Sequence, residues 1–158
     1  LLELVGMDRQ ELEFKKLQTK ELEENIRDTM RIPFERKGIR GKINLEKGVI
    51  LGDRDLLLSL LYNLLDNAVK YCDPDGMIRV TLRGGKHPVI LVDNSYMAVG
   101  RMELDRLFDR FYRADKARTY GSGFGIGLSI AKAIVEKHHG NIKASPLEDN
   151  MIRFQVSL

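Results

Sequence analysis

Leu57, Leu61, Leu64 and Ala68 recur at spacings of four, three and four between residues 53 and 71, the strongest periodic signal in the chain. Only an α-helix lays that spacing along one side, and the stripe has to be buried against a second layer. Asp53 or Asp55 opens this helix, which runs to Tyr71, and Asp73-Pro74-Asp75-Gly76 follows it as a turn by composition. Two more helices join it. Leu22, Ile26 and Met30 recur every four residues after Thr19, a candidate N-cap. Pro33 should end or kink that helix near Arg31, with Arg36-Lys37-Gly38 as its exit. The third helix spans residues 128–138 and is terminated by Gly140.

Short strands fall between these helices. Ile43 and Leu45, then residues 49–51, flank a turn at 46–48, and residues 78–82 and 89–92 form an antiparallel pair joined through Gly84-Gly85. Residues 142–144 and 152–156 alternate like closing strands. A short helix is expected from Met102 to about Tyr112, and a loop over 114–125. Residues 1–18 are charge-rich behind Leu1, Leu2, Leu4 and Val5 and read as the end of a helix, leaving 19–158 as one domain. Interleaved strands and helices without repeats predict an α+β fold, a two-layer sandwich of a mixed, mostly antiparallel sheet and about three helices.

Composition removes several function classes. At 158 residues, with 43% apolar and 31% charged residues, the chain has enough material for one core and is neither disordered nor collagenous. No apolar run reaches the roughly 18–20 residues that span a bilayer, and no signal peptide opens the chain. Cys72 is the single cysteine, which excludes an internal disulfide. A net charge of +3 is too mild to point to nucleic acid. Since the first residue is Leu, the chain is expected to be a piece of a longer protein.

Four constellations can carry chemistry. Ser59, Asn63, Asn67 and Lys70 share a face of the 53–71 helix. Carboxamide oxygens can ligate a hard cation and a lysine can neutralise phosphate, although a solvated polar face has the same pattern. Gly-Ser-Gly-Phe-Gly-Ile-Gly-Leu (121–128) runs straight into a helix. Alternate glycines let backbone N–H groups approach an anion, and a flexible hinge is the other reading. No Lys-Ser/Thr pair follows and no strand precedes it, so neither Walker-type loop nor dinucleotide fingerprint applies. Asp93 ends a strand, where it either accepts a hydrogen bond from an exocyclic amine or caps a turn. Phe108, Arg110, Phe111, Tyr112 and Arg113 form an aromatic and basic cluster before the loop, equally readable as core aromatics and surface arginines.

Taken in order, NLLDNAVKY (63–71), VDN (92–94), LFDRFYRAD (107–115) and GSGFGIGLSIAKAIVEKHHGNI (121–142) resemble the asparagine, first glycine, phenylalanine and second glycine boxes of the ATP-binding catalytic domain of bacterial sensor histidine kinases, in the superfamily shared with gyrase, Hsp90 and MutL. The resemblance covers about residues 19–158. It implies a Bergerat-type ATP-binding fold that donates the ATP γ-phosphate to a histidine on a separate dimerisation domain. It implies Asn63 as the magnesium ligand with Asn67 beside it, Lys70 and Tyr71 at the phosphates and sugar, and Asp93 at the adenine amine. Arg110 and Arg113 would approach the phosphates, Gly123, Gly125 and Gly127 would bring backbone to the triphosphate, and Leu128 would start the helix beneath it. No residue is assigned a catalytic step. Residues 1–18 would be the tail of the phosphoacceptor hairpin. The implied cofactors are ATP and magnesium, and the implied partners are that hairpin domain and a response regulator. The parent would be a homodimer anchored in the inner membrane, with this domain cytoplasmic.

Two departures stand out. The family's Asp-x-Gly-x-Gly reads Asp93-Asn94-Ser95-Tyr96-Met97 here, so Ser95 and Met97 replace glycines where a tight turn beside the adenine is expected. A degenerate domain acting as a docking module is the alternative that this substitution raises. Second, His87, His138 and His139 lie outside any acceptor-helix context. Ser59 stands where related ATPases carry a water-activating Glu, which predicts slow hydrolysis.

Overall fold

The computed structural model describes residues 12–97, 99, 104, 107, 108 and 125–158. Its elements run β1 (Phe14–Gln18), α1 (Thr19–Lys37), β2 (Arg40–Glu46), β3 (Val49–Asp53), α2 (Arg54–Tyr71), β4 (Met77–Arg83), β5 (Val89–Ser95), α3 (Gly125–Lys137), β6 (Asn141–Leu147) and β7 (Met151–Ser157). Five strands form the main sheet in the order β2-β4-β5-β7-β6, and β1 pairs with β3 in a separate ribbon. Among the described residues, only β2–β4 is parallel. The expected two-layer sandwich of three helices on a mixed, mostly antiparallel sheet is what forms.

α2 is the middle of the helical layer. Asp53 caps it through Oδ1, which accepts from the Leu56 N–H at 3.1 Å. Its stripe is wider than the periodicity alone requires: Leu60 and Leu65 join Leu57, Leu61, Leu64 and Ala68 in complete burial. Truncating any one of these leucines to Ala costs about 2–5 kcal/mol. Opposite them, the helix-facing side of the sheet presents Ile78, Val80 and Leu82 from β4, Ile90 and Val92 from β5, and Ile152, Phe154 and Val156 from β7.

Four local expectations are corrected. α1 does not end near Arg31 but continues through Pro33 to Lys37. Met30 is buried and Phe34 lies over the glycine backbone at Gly41, so packing on both sides of the proline outweighs the one hydrogen bond it forfeits. Gly38 (φ 68°) then ends the helix as expected. Thr19 is not the N-cap, a position held by Gln18. Thr19 is buried instead, its Oγ1 accepting from Gly48 N–H (3.0 Å) and donating to the Glu46 carbonyl (3.1 Å), which fastens α1 to the β2–β3 turn. Residues 14–18 are a strand antiparallel to β3 rather than the end of a helix. At the end of α3 it is His139 (φ 59°), not Gly140, that adopts the left-handed conformation. Glycine is required at 140 because a Cβ there would lie 2.4 Å from the Ser157 carbonyl oxygen. Among the described residues, no helix is long and apolar enough to cross a membrane.

Candidate functional site

Asn63, Asn67, Lys70 and Tyr71 lie along α2, the two asparagines and the tyrosine half-buried and Lys70 exposed. The end of α2 is tied to the segment following β5. The Asp73 N–H donates to the Ser95 carbonyl (3.1 Å), and the Met97 N–H donates to Asp73 Oδ2 (2.8 Å). The Tyr71 ring meets Tyr96 edge-on, with centroids 6.0 Å apart. Ser95 Oγ accepts from the Met77 N–H at 3.0 Å, and the Tyr96 N–H donates to the Asn150 carbonyl at 2.7 Å. Ser95, Tyr96 and Met97 are absent from the residues with positive φ, so this backbone does not demand glycine. The Met97 side chain is 74% exposed and does not crowd the space between the layers.

Asp93 and Asn94, adjacent in β5, face opposite ways. Asp93 is paired across the sheet with Arg79 on β4 and Arg153 on β7. Its Oδ2 accepts from Arg79 Nε (3.0 Å), Arg79 Nη2 (2.9 Å) and Arg153 Nη2 (3.0 Å), and its Oδ1 from Arg153 Nε (2.8 Å). The carboxylate is wholly buried beneath two arginines that remain about a quarter exposed. Hydrogen bonding to Asp93 raises the Arg153 guanidinium above its ordinary pKa. These contacts hold Asp93 on the sheet face that points away from the helices, so the structure does not bring it to the α2 asparagines, contrary to the expectation drawn from resemblance.

Asn94 is on the helix-facing side with Ile90 and Val92, and its cross-strand neighbours are the buried Ile78 and Ile152. It is itself completely buried. Its Nδ2 donates to the Ser95 carbonyl at 3.1 Å, whereas Oδ1 has no partner. Among the described residues, the buried side-chain polar atoms without a partner are this oxygen and Asn63 Nδ2. One is on β5 and the other on α2, elements that pack against each other. A buried polar atom left unpaired costs about 1–3 kcal/mol, so two of them on packed elements are what polar ligand groups would satisfy.

Sequence reasoning missed Asn94, Arg79 and Arg153. The arginines left a signal: Ile78-Arg79-Val80 and Ile152-Arg153-Phe154 each set one cation between two apolar residues, marking the outer face of each strand. Arg110, Arg113 and Gly123 lie outside the described residues. Gly125 and Gly127 fall in the first turn of α3, and Leu128 is a buried core residue on it. His138 has both ring nitrogens engaged: Nε2 accepts from the Asp53 N–H (3.0 Å), and Nδ1 lies 2.8 Å from the Ile134 carbonyl oxygen. It serves the packing of α3 on β3, and Phe14 stacks on its ring.

Residues 52–158, more than half of the chain, match the family described as histidine kinase-, DNA gyrase B- and HSP90-like ATPase. The chain is 38% identical over 114 residues to the probable sensor protein PcoS of Escherichia coli, covering 71% of this chain and 24% of that protein. It is 31% identical over 166 residues to the sensor protein RprX of Bacteroides fragilis, covering 100% of this chain and 32% of that protein. The chain thus spans about a quarter to a third of the length of these relatives. Solved structures share its fold, two of them as follows. The catalytic domain of histidine kinase ThkA superposes with a TM-score of 0.79 at 23% identity over 92% of this chain and 95% of that one. The Acinetobacter baumannii histidine kinase AdeS gives 0.80 at 18% identity over 99% and 73%. On this fold, this helix–sheet junction and this family match, the chain belongs to the histidine kinase-, DNA gyrase B- and HSP90-like ATPase family.

Proposed function

We propose that this chain is the ATP-binding, phosphoryl-donating domain of a sensor histidine kinase, which presents the γ-phosphate of ATP to a histidine on another domain. The observation that carries the reading is the pair of buried, unpartnered amide atoms, an acceptor on β5 and a donor on α2. A nucleotide offers both complements, an amine on its base and oxygens on its ribose and phosphates. The binding surface is α2, the end of β5 and the start of α3. Asn63 and Asn67 orient the polar part of the nucleotide, Lys70 supplies positive charge towards phosphate, and Tyr71 flanks the sugar. Gly125 and Gly127 open α3, where helix N–H groups favour an anion. The resemblance assigns Arg110, Arg113 and Gly123, which lie outside the described residues, to the phosphates.

Magnesium fits this site as an ion carried by the triphosphate. The donors here are the neutral amide oxygens of Asn63 and Asn67, and no cluster of three or more His, Cys, Asp or Glu stands among the described residues. When bound, magnesium would neutralise phosphate charge. The phosphoacceptor belongs outside this chain in this reading, since His138 is structurally engaged, His139 closes α3 in the left-handed conformation and His87 lies in an exposed turn, none of them on an acceptor helix. The parent in this reading is longer, in keeping with relatives of which this chain spans about a quarter to a third, and it carries a dimerisation hairpin, a membrane anchor and a response regulator as its target.

Calorimetric titration with a non-hydrolysable ATP analogue, with and without magnesium, tests the reading. Micromolar to low-millimolar binding that depends on magnesium is expected. No heat from a folded protein would sink it.

A further inference from the structure

We propose that Asp73 is a positioning residue of the nucleotide site: its carboxylate fixes residues 95–97, where the resemblance expects glycines, to the end of α2. The proposal deepens the nucleotide-binding reading and rests on it. α2 and the end of β5 are two of the surfaces assigned to the nucleotide, and Asp73 joins the chain leaving one to the chain leaving the other. Its N–H donates to the Ser95 carbonyl (3.1 Å), and its Oδ2 accepts from the Met97 N–H (2.8 Å). One residue thus holds three consecutive residues at both ends. The hold is made from a fixed base. The Gly76 N–H donates to the Asp73 carbonyl (2.9 Å), closing the 73–76 turn, and the Arg40 N–H donates to the Gly76 carbonyl (2.9 Å). Asp75 takes the left-handed conformation (φ 56°). A Cβ at Gly76 would lie 2.7 Å from the Asp73 carbonyl oxygen and 3.0 Å from the Ser95 Cβ, so the turn packs directly on the segment that Asp73 holds.

A turn built on glycines holds its path through conformations that other residues avoid. Ser95, Tyr96 and Met97 have ordinary φ values, so here the restraint comes from outside the segment. The Met97 side chain stands in solvent, which leaves its N–H as the group that ties this residue to α2. A carboxylate accepting from a backbone N–H forms a charge-assisted bond, stronger than the neutral bonds around it. Walls that are set before a ligand arrives spend less of its affinity on ordering. Once residues 95–97 are released, apparent affinity falls by the fraction of molecules that keeps the binding arrangement. Asp73 acts through Met97, and it is the backbone it holds, not its own carboxylate, that borders the nucleotide.

The experiment is calorimetric titration of wild type, Asp73→Ala and Asp73→Asn with a non-hydrolysable ATP analogue, with and without magnesium, with folding checked by circular dichroism. Asp73→Ala should bind about fivefold more weakly, and the ratio of its affinities with and without magnesium should match that of wild type. Asp73→Asn, whose amide oxygen still accepts from the Met97 N–H, should return to within about twofold of wild type. Unchanged affinity in Asp73→Ala overturns the proposal. So does a lost magnesium dependence in Asp73→Ala, or no recovery in Asp73→Asn, since either makes the carboxylate a direct ligand. Amide exchange at Met97, followed by NMR without nucleotide, reads the clamp itself. It should be about tenfold slower in wild type and Asp73→Asn than in Asp73→Ala. Met97 exchange in wild type as fast as in the unfolded chain overturns the proposal without any variant. A wild type that protects Met97 but binds no nucleotide sinks the nucleotide-binding reading and this proposal with it, whereas nucleotide binding indifferent to Asp73 sinks the proposal alone.

Discussion

The two faces of the central sheet at the end of β5 treat polar groups in opposite ways. On the outer face, Arg79, Asp93 and Arg153 form a row across three strands in which every oxygen of the carboxylate is used. On the inner face, one residue further along, Asn94 keeps an unpaired oxygen in an apolar setting, and Asn63 on α2 keeps an unpaired nitrogen. A saturated buried network closes on itself and leaves nothing for a ligand. An unsaturated one carries a standing cost that binding can relieve. In this molecule the stronger-looking constellation is therefore scaffold, and the plain asparagines are where recognition is expected.

The sharpest way to break that comparison is Asp93→Ala. It leaves two cations facing each other across an empty position and should lower unfolding free energy by about 2–3 kcal/mol, less than for a fully buried pair because both arginines reach solvent. Urea denaturation reads the change, and a loss under about 1 kcal/mol would mean that the triad is dispensable. Asn63→Ala should act in the opposite sense, with a roughly tenfold loss of magnesium-dependent ATP affinity and little change in stability, because the Nδ2 it deletes has no partner. A melted circular-dichroism spectrum would instead make Asn63 structural.

Smaller effects sharpen the picture around the site. Burial pushes the Cys72 thiol above its ordinary pKa, and Lys37 opposes this in part. The folded state therefore holds its proton at alkaline pH values where the unfolded state has lost it, so stability should decline as pH rises above about 9. Cys72→Ala should remove that slope, and alkylation of the native thiol should lag far behind that of the unfolded chain. Equal alkylation rates would contradict its burial. Least affected should be Met97→Gly, since the side chain stands in solvent and its backbone has an ordinary φ. Affinity for ATP is expected to stay within about twofold, and a large gain would show that Met97 obstructs the site after all.

Much of the fold was legible. Among the described residues, α1 and α2 announced themselves through apolar repeats of three and four, the β4–β5 pair through Gly84-Gly85 between its strands, and β6 and β7 through alternation, whereas the short helix expected at 102–112 lies largely outside the described residues. β1 was not, because Phe14-Lys15-Lys16-Leu17-Gln18 buries only Leu17 and has no alternation to detect. The partner of β2 was not legible either. Its two-residue separation from β3 suggests a hairpin, but Thr19 clamps the intervening turn while β3 turns away to β1 and β2 joins β4 in parallel. Nor did the sequence show that α1 would run through Pro33, since the compensating packing of Phe34 on Gly41 is a contact between elements.

The site divides the same way. The order and spacing of its motifs along the chain, the placement of Asn63 and Asn67 on one side of a helix, and the absence of an acceptor helix around the histidines are properties of sequence. The direction of each side chain at the end of β5 is not. Val89-Ile90-Leu91-Val92 is apolar without interruption, and a run that is apolar at every position carries no period-two signal to say which residues face inward. Whether Asp93 or Asn94 met the helices was left open until β5 was set in register between β4 and β7, with Arg79 and Arg153 fixing the outer face and Ile78 and Ile152 the inner.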